Sequence, residues 1–452
     1  MKDDIESALK GHRAEYIEVR WEESEGTRLQ YRGKERESIG RSKARGGNVR
    51  ALVKGGWGFV CFNEMGDLRQ KVAEAVREAR LVGQEASHFA PVAPVVDAVP
   101  PTIRKDPLAV PLAEKVRLME EYNQIILGVP GVHSSLITYG DARRKVVFAS
   151  SEGSYIEQER KEISLRLAAT ARKDGDVQQA GLSLGALGDF GAMEKLHGQV
   201  KDLAQTAADL LNAPRISGGE YTVVLDPVLA GVFIHEAFGH LSEADHVYEN
   251  DRLREIMALG RRFGGKHFNV VDGAAVPGLR GSYKYDEEGV PASKTYLIRE
   301  GVLVGRLHSR ETAATMGEKP TGNARAIDWR YPPIVRMTNT FIEPGTATLE
   351  DLLEGIEDGV YVSNWYGGQT SMEMFTFASG ESRRIRHGRI EELVRPVQLS
   401  GNLFTTLENI DAIGNDLDMN QGGGCGKGMQ APLPVSNGSP HIRIRRCLVG
   451  GK

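Results

Sequence analysis

Polar and apolar positions alternate through much of the first 62 residues. "YIEVRW" (16–21), "RLQYRG" and "NVRALVKGGWGFVCF" carry β-branched and aromatic residues broken by glycine, and predict strands. The period then changes. In "LRQKVAEAVREARLV" apolar residues recur three and four apart, which predicts an amphipathic helix capped by Asp67. Residues 89–111 hold six of the chain's 19 prolines and read as an extended connector. A second amphipathic helix, "LAEKVRLMEEYNQIIL", precedes two strand-like runs, "SSLITYG" and "KVVFASSEG". "SYIEQERKEISLRLAATARK" alternates again and predicts a long strand. "EKLHGQVKDLAQTAADLLNA" (194–213) predicts a helix leading out of this half, and "PRISGGE" marks a boundary.

The second half opens on a strand, "YTVVLD", that runs straight into an apolar helix, "VLAGVFIHEAFGH". From residue 270 onward the pattern is of short strands separated by Gly, Asn and Pro. "REGV" and "RHGR" predict hairpin turns. A chain of 452 residues is too long for one ordinary core. The expectation is an α+β protein of two domains: 1–213, an α/β domain of strands and helices, and 214–452, mostly β around one helix.

Composition excludes several classes. The formal net charge of −4 gives no bulk electrostatic case for nucleic acid or an anionic membrane. The basic run "RRIRHGR" (383–389) lies across a predicted hairpin and reads as a solvated ribbon. No apolar run is long enough to span a bilayer, and "MKDDIESALKG" lacks the apolar centre of a secretory signal. Three cysteines, Cys61, Cys425 and Cys447, are a sparse and odd set. They argue for a reducing cytoplasm and against a disulfide framework.

The apolar helix carries the chemistry. Residues 235–240, "HEAFGH", place His235, Glu236 and His240 in the pattern H-E-x-x-x-H. The zinc-protease pattern H-E-x-x-H has one residue fewer between its histidines. On an ideal helix residues four apart lie ~40° apart around the axis, and residues five apart ~140°. A regular helix would therefore point the two imidazoles away from each other. A π-turn, with its bonding to the fifth residue, would bring them together. So would a break at Gly239, since glycine adopts conformations that other residues avoid. Three polar groups in an apolar helix need partners, and a metal satisfies them together. The third-ligand candidates nearby are Glu243, Asp245 and His246; the distant ones are Cys425, in "NQGGGCGKGMQAP", and His441. A thiolate from Cys425 would complete a His2Cys set.

Several separated segments resemble one family. "HEAFGHLSEAD", "PIVRMTNTFIEPG", "GVYVSNWYGGQTS", "LSGNLFTTLENIDAIGND" and "CGKGMQAPLPVSNGSPHIRIRRCLVGG" are similar to the metal-binding subunit of the TldD/PmbA (TldD/TldE) proteins, the modulators of DNA gyrase. "GGNVRALVKGGWGFV" fits the same family. "HLSEAD" stands where "HGLEGD" is more usual and keeps the acidic pair Glu243 and Asp245.

The resemblance implies one zinc per chain, held by His235, His240 and Cys425, with Glu236 as general base. It implies a metallopeptidase that cuts unfolded or unstructured peptides. It also implies a homodimer, or a heterodimer with a homologous subunit that lacks the metal. Two other classes stay open on the residues alone: a non-catalytic peptide-binding or assembly subunit, and a zinc amidohydrolase of small amides. Glycine-rich "WYGGQTS" (365–371) is a candidate sheet edge for peptide pairing.

Overall fold

The computed structural model describes residues 1–83, 88–371 and 373–451. The first half is built on one seven-stranded sheet. Its strands are β1 (Tyr16–Arg32), β2 (Glu35–Val53), β3 (Gly56–Phe62), β4 (Val96–Val99), β5 (Val132–Ser150), β6 (Tyr155–Lys173) and β7 (Asp176–Leu187). The order is β3-β2-β1-β5-β6-β4, with β7 also on β6. All neighbours are antiparallel except β4 on β6.

The alternating segments become strands because one face of each is buried under helices. Helix Leu68–Val82 buries Val72, Val76 and Ala79 beneath β2 and β3. Helices Leu112–Gly128 and His197–Asp209 cover β5 and β6 in a second core around Met119, Tyr122, Leu167 and Ala204. The apolar runs expected as separate strands are continuous: "YIEVRW" and "RLQYRG" form β1, and "SSLITYG" and "KVVFASSEG" form β5. Asp67 precedes its helix in a left-handed conformation and makes no side-chain cap. The predicted cap is therefore not formed.

In the second half, strands Asp358–Ser371, Gly219–Leu225, Ile442–Gly451, Val397–Asn402 and Met374–Arg386 pair in that order. The first and last also pair with each other, so the sheet closes on itself. A second sheet runs through Val270–Gly273, Asn339–Ile342 and Ser436–Ser439. "REGV" and "RHGR" do turn hairpins, with Glu300-Gly301 and His387-Gly388 at positive φ.

The apolar helix Pro227–Ile234 packs between these two sheets. It is apolar all round because it has partners all round. Phe233 meets Phe375 and Phe377 of the closed sheet edge to face, at 5.4 and 5.9 Å. Gly231 lies against the backbone of Gly438, where a side chain would collide. Each buried Leu or Phe here contributes roughly 2 kcal/mol, so the helix is a rigid mount for the turn at its C-terminal end. The chain is thus α+β, an α/β region followed by a β-rich one. Among the described residues no helix is long and apolar enough to cross a membrane.

Candidate metal centre

The helix starts where Asp226 accepts the Leu229 N–H, with Pro227 in the first turn. It ends in a π-turn, His235–Gly239, in which the His240 N–H bonds to the His235 carbonyl. This is one of the two distortions that the five-residue spacing demands. Gly239 itself is not a break. Its dihedrals are helical, φ −58° and ψ −51°. It is glycine for want of room: a Cβ there would collide with Met337 Sδ.

The π-turn brings the rings of His235 and His240 to 5.4 Å. Cys425 arrives from the other side on a hairpin, Gly424–Lys427 paired with Gln430–Pro434. Gly428 and Met429 turn it, both at positive φ. Cys425 Sγ lies 3.5 Å from His240 Nε2. One ligand atom from each of His235, His240 and Cys425 lies within 4.8 Å of the others. His235 and Cys425 are each 3% exposed. The Glu236 carboxylate, 30% exposed, stands 4.0 Å from His240 Nε2.

The other candidates face elsewhere. Glu243 Oε2 accepts from His240 Nδ1 at 3.0 Å, on the far side of the ring from Cys425. Asp245 pairs with Lys427 at 2.6 Å. His246 stays 4.0 Å from Glu243. His441 bonds to Tyr361 and Asp416, away from the group. Two contributors were not singled out from sequence. Lys427 and Arg336 lie in segments that carry the family resemblance, but they act only through neighbours that the fold supplies.

Electrostatics favour a charged thiolate. Burial alone would raise the Cys425 thiol, but His235 and His240 outweigh it and hold it down to about 4. Burial works against the charged form of His240 too, and Cys425 with Glu243 still lifts it to about 10. Burial would also raise Glu243; His240 and Lys427 bring it to about 2. Among the described residues, buried His235 Nδ1 has no hydrogen-bond partner. Two imidazoles, one of them with a nitrogen lacking a partner, and one thiolate are a donor set suited to zinc.

Comparison with known proteins places the chain. Residues 17–81, 105–213 and 218–451 match, in turn, PmbA/TldA metallopeptidase domain 1, the central domain and the C-terminal domain. The chain belongs to the PmbA/TldD family. A metalloprotease of Synechocystis is 48% identical over 440 residues, covering 97% of this chain and 95% of that one. The zinc metalloprotease TldD homolog of Saccharolobus solfataricus is 35% identical over 325 residues, 71% of this chain and 72% of that one.

Solved structures share the PmbA/TldD fold at low identity. A proposed DNA gyrase modulator of Thermotoga maritima has a TM-score of 0.82 at 19% identity, over 99% of each chain. TldE of Thermococcus kodakarensis has 0.76 at 17%, over 100% of each. The relatives' names support a metallopeptidase.

Proposed function

We propose that the chain is a zinc metallopeptidase that hydrolyses peptide bonds in unfolded or unstructured peptides. The observation that carries this reading is the convergence of His235, His240 and Cys425 with the Glu236 carboxylate beside them. One zinc would be held by those three residues. When bound, it supplies a Lewis acid and lowers the pKa of water toward ~7. Glu236 then has the two proton tasks of hydrolysis: it accepts a proton from the attacking water and returns it to the leaving amine. Glu243 holds His240 by Nδ1. A carboxylate with this pKa can only accept, so Nδ1 donates, and Nε2 is left as the nitrogen that would give up its proton and ligate a metal.

Strand Asp358–Ser371 supports the choice of substrate. Beyond Val362 it pairs only with Met374–Arg386, so its other edge is open along 365–371 among the described residues. An extended peptide can add there through main-chain bonds that read no side chains. Folded proteins would then resist cleavage that their unfolded forms undergo. The reading takes 1–213 and 214–452 as two domains and the cytoplasm as the compartment, with no direct nucleic-acid contact. It takes a dimer as the working assembly, either of two copies or with a homologous metal-free subunit; the likeness to TldE supports the second.

Elemental analysis of the purified chain, alone and with its partner subunit, tests the centre together with cleavage of unstructured peptides. The expected result is one zinc per chain. Glu236→Ala keeps it and loses roughly 10²–10⁴-fold in cleavage; Cys425→Ser loses zinc. Full activity in Glu236→Ala would sink the mechanism. Zinc without any cleavage would indicate a binding subunit, and cleavage confined to small amides an amidohydrolase.

A further inference from the structure

Lys427 lies two residues beyond Cys425 and reaches back across the site. Its Nζ is 3.1 Å from Glu243 Oε2, 2.6 Å from Asp245 Oδ1 and 2.9 Å from the Val335 carbonyl. All three ammonium protons thus have an acceptor. The Lys427 side chain is 9% exposed and that of Glu243 0%. Such a pair recovers its desolvation only with good geometry, so its net stabilisation is small and its value lies in position.

The geometry converges on three consecutive residues. The Val335 carbonyl takes Lys427. Arg336, fully buried, donates through Nη2 to the Cys425 carbonyl at 2.8 Å and through Nη1 to the Gln430 carbonyl at 3.0 Å. The Met337 N–H donates to Glu243 Oε1 at 3.3 Å. Residues 335–337 therefore hold the cysteine hairpin with one hand and the segment after His240 with the other. Lys427 closes the loop between them.

We propose that Lys427 is a positioning residue that ties the cysteine hairpin to Glu243 and Asp245, and so fixes Cys425 relative to His240. This rests on the metal-centre reading. Glu243 orients the His240 ring directly. Lys427 locks Glu243 in place and anchors the hairpin two residues from Cys425. Without it the hairpin and Glu243 are joined only through residues 335–337, and the thiolate is held less firmly relative to the imidazole.

The test uses the full-length chain with zinc and cobalt(II) as probes. Zinc affinity is measured by competition with a chromogenic chelator. Cobalt substitution reports Cys425 through its thiolate-to-metal charge-transfer absorption. Lys427→Met is expected to bind zinc roughly 10–100-fold more weakly and to weaken or shift the cobalt–thiolate band. A merely structural role would lower the unfolding temperature and leave both readouts unmoved.

If Lys427→Met does not fold, Asp245→Asn decides, because that carboxylate is partly exposed and its loss is mild. Weaker zinc binding in it supports the inference, and unchanged binding overturns it. A parent chain that binds no zinc sinks the metal-centre reading and this inference together. A parent that binds zinc beside a Lys427→Met chain of equal affinity and spectrum overturns this inference alone.

Discussion

Gly239 separates two reasons for a glycine. One is conformational freedom and the other is space. Its helical dihedrals rule out the first, and the Met337 sulfur supplies the second. A methyl group there must push Met337 away, and Met337 is fully buried. Overpacking of this kind costs roughly 1–3 kcal/mol. Gly239→Ala should therefore lower stability by that amount in urea denaturation. In a Met337→Ala background the same change should cost less, because the obstructing sulfur is gone. Equal costs in the two backgrounds would place the strain elsewhere. Zinc affinity should fall with the same substitution, since Met337 also holds Glu243 through its N–H.

At the scale of elements, the motif helix depends on how it begins. Burial raises the Asp226 carboxyl to about 6, against the N–H groups of Leu229 and Asn364 that favour its charge. In the unfolded chain an aspartate titrates near ~3.9. The native state therefore binds more protons between about pH 4 and pH 6, and this group's contribution falls as pH rises through that window. Asp226→Asn keeps an acceptor for the helix and removes the titration. Relative to the parent, the variant should gain roughly 2 kcal/mol in stability between pH 4 and pH 7. Urea midpoints at the two pH values check this, and a constant difference would refute it. The helix and the hairpins were legible in the sequence, because apolar period and residue pairs such as His387-Gly388 are local signals. Strand lengths were less so. Gly26 reads as a break, yet it sits inside β1, where the Asp141 backbone leaves no room for a side chain. Closure of the second sheet was not legible, since it joins strands far apart in the chain. At the site, the five-residue spacing itself called for a distorted turn. The grouping of Cys425 with the histidines rested on family resemblance as well as on its glycines. Lys427 and Arg336 stand in segments that carry the family resemblance, but their roles were not legible, because what they hold is assembled only by the fold.

At the scale of the whole molecule, the two halves meet across buried ion pairs rather than a plain apolar seam. Arg50 of β2 lies 3.2 Å from Glu18 and 3.3 Å from Glu288. Arg20 of β1 pairs with Glu287 at 3.0 Å, and Arg310 with Glu152 at 2.8 Å. Asn48 donates to the Trp329 carbonyl beside them. Removing one charge from such a network leaves its partners buried and uncompensated, which costs roughly 3–5 kcal/mol. Arg50→Met should lose that much at neutral pH. Arg117→Met, which breaks an exposed pair with Glu121, should stay within about 0.5 kcal/mol. The loss should also depend on pH. Burial already raises the Glu18 carboxyl, with Glu288 adding to it and Arg50 opposing. Without Arg50 the native state holds that proton more tightly than the unfolded chain does. The variant's stability then falls as pH rises, so its deficit is largest near pH 7 and shrinks toward pH 5. Urea denaturation of both chains at the two pH values measures it. A deficit that grows as pH falls would show that Glu18 keeps its charge without Arg50, and that another group in the interface holds the two halves together.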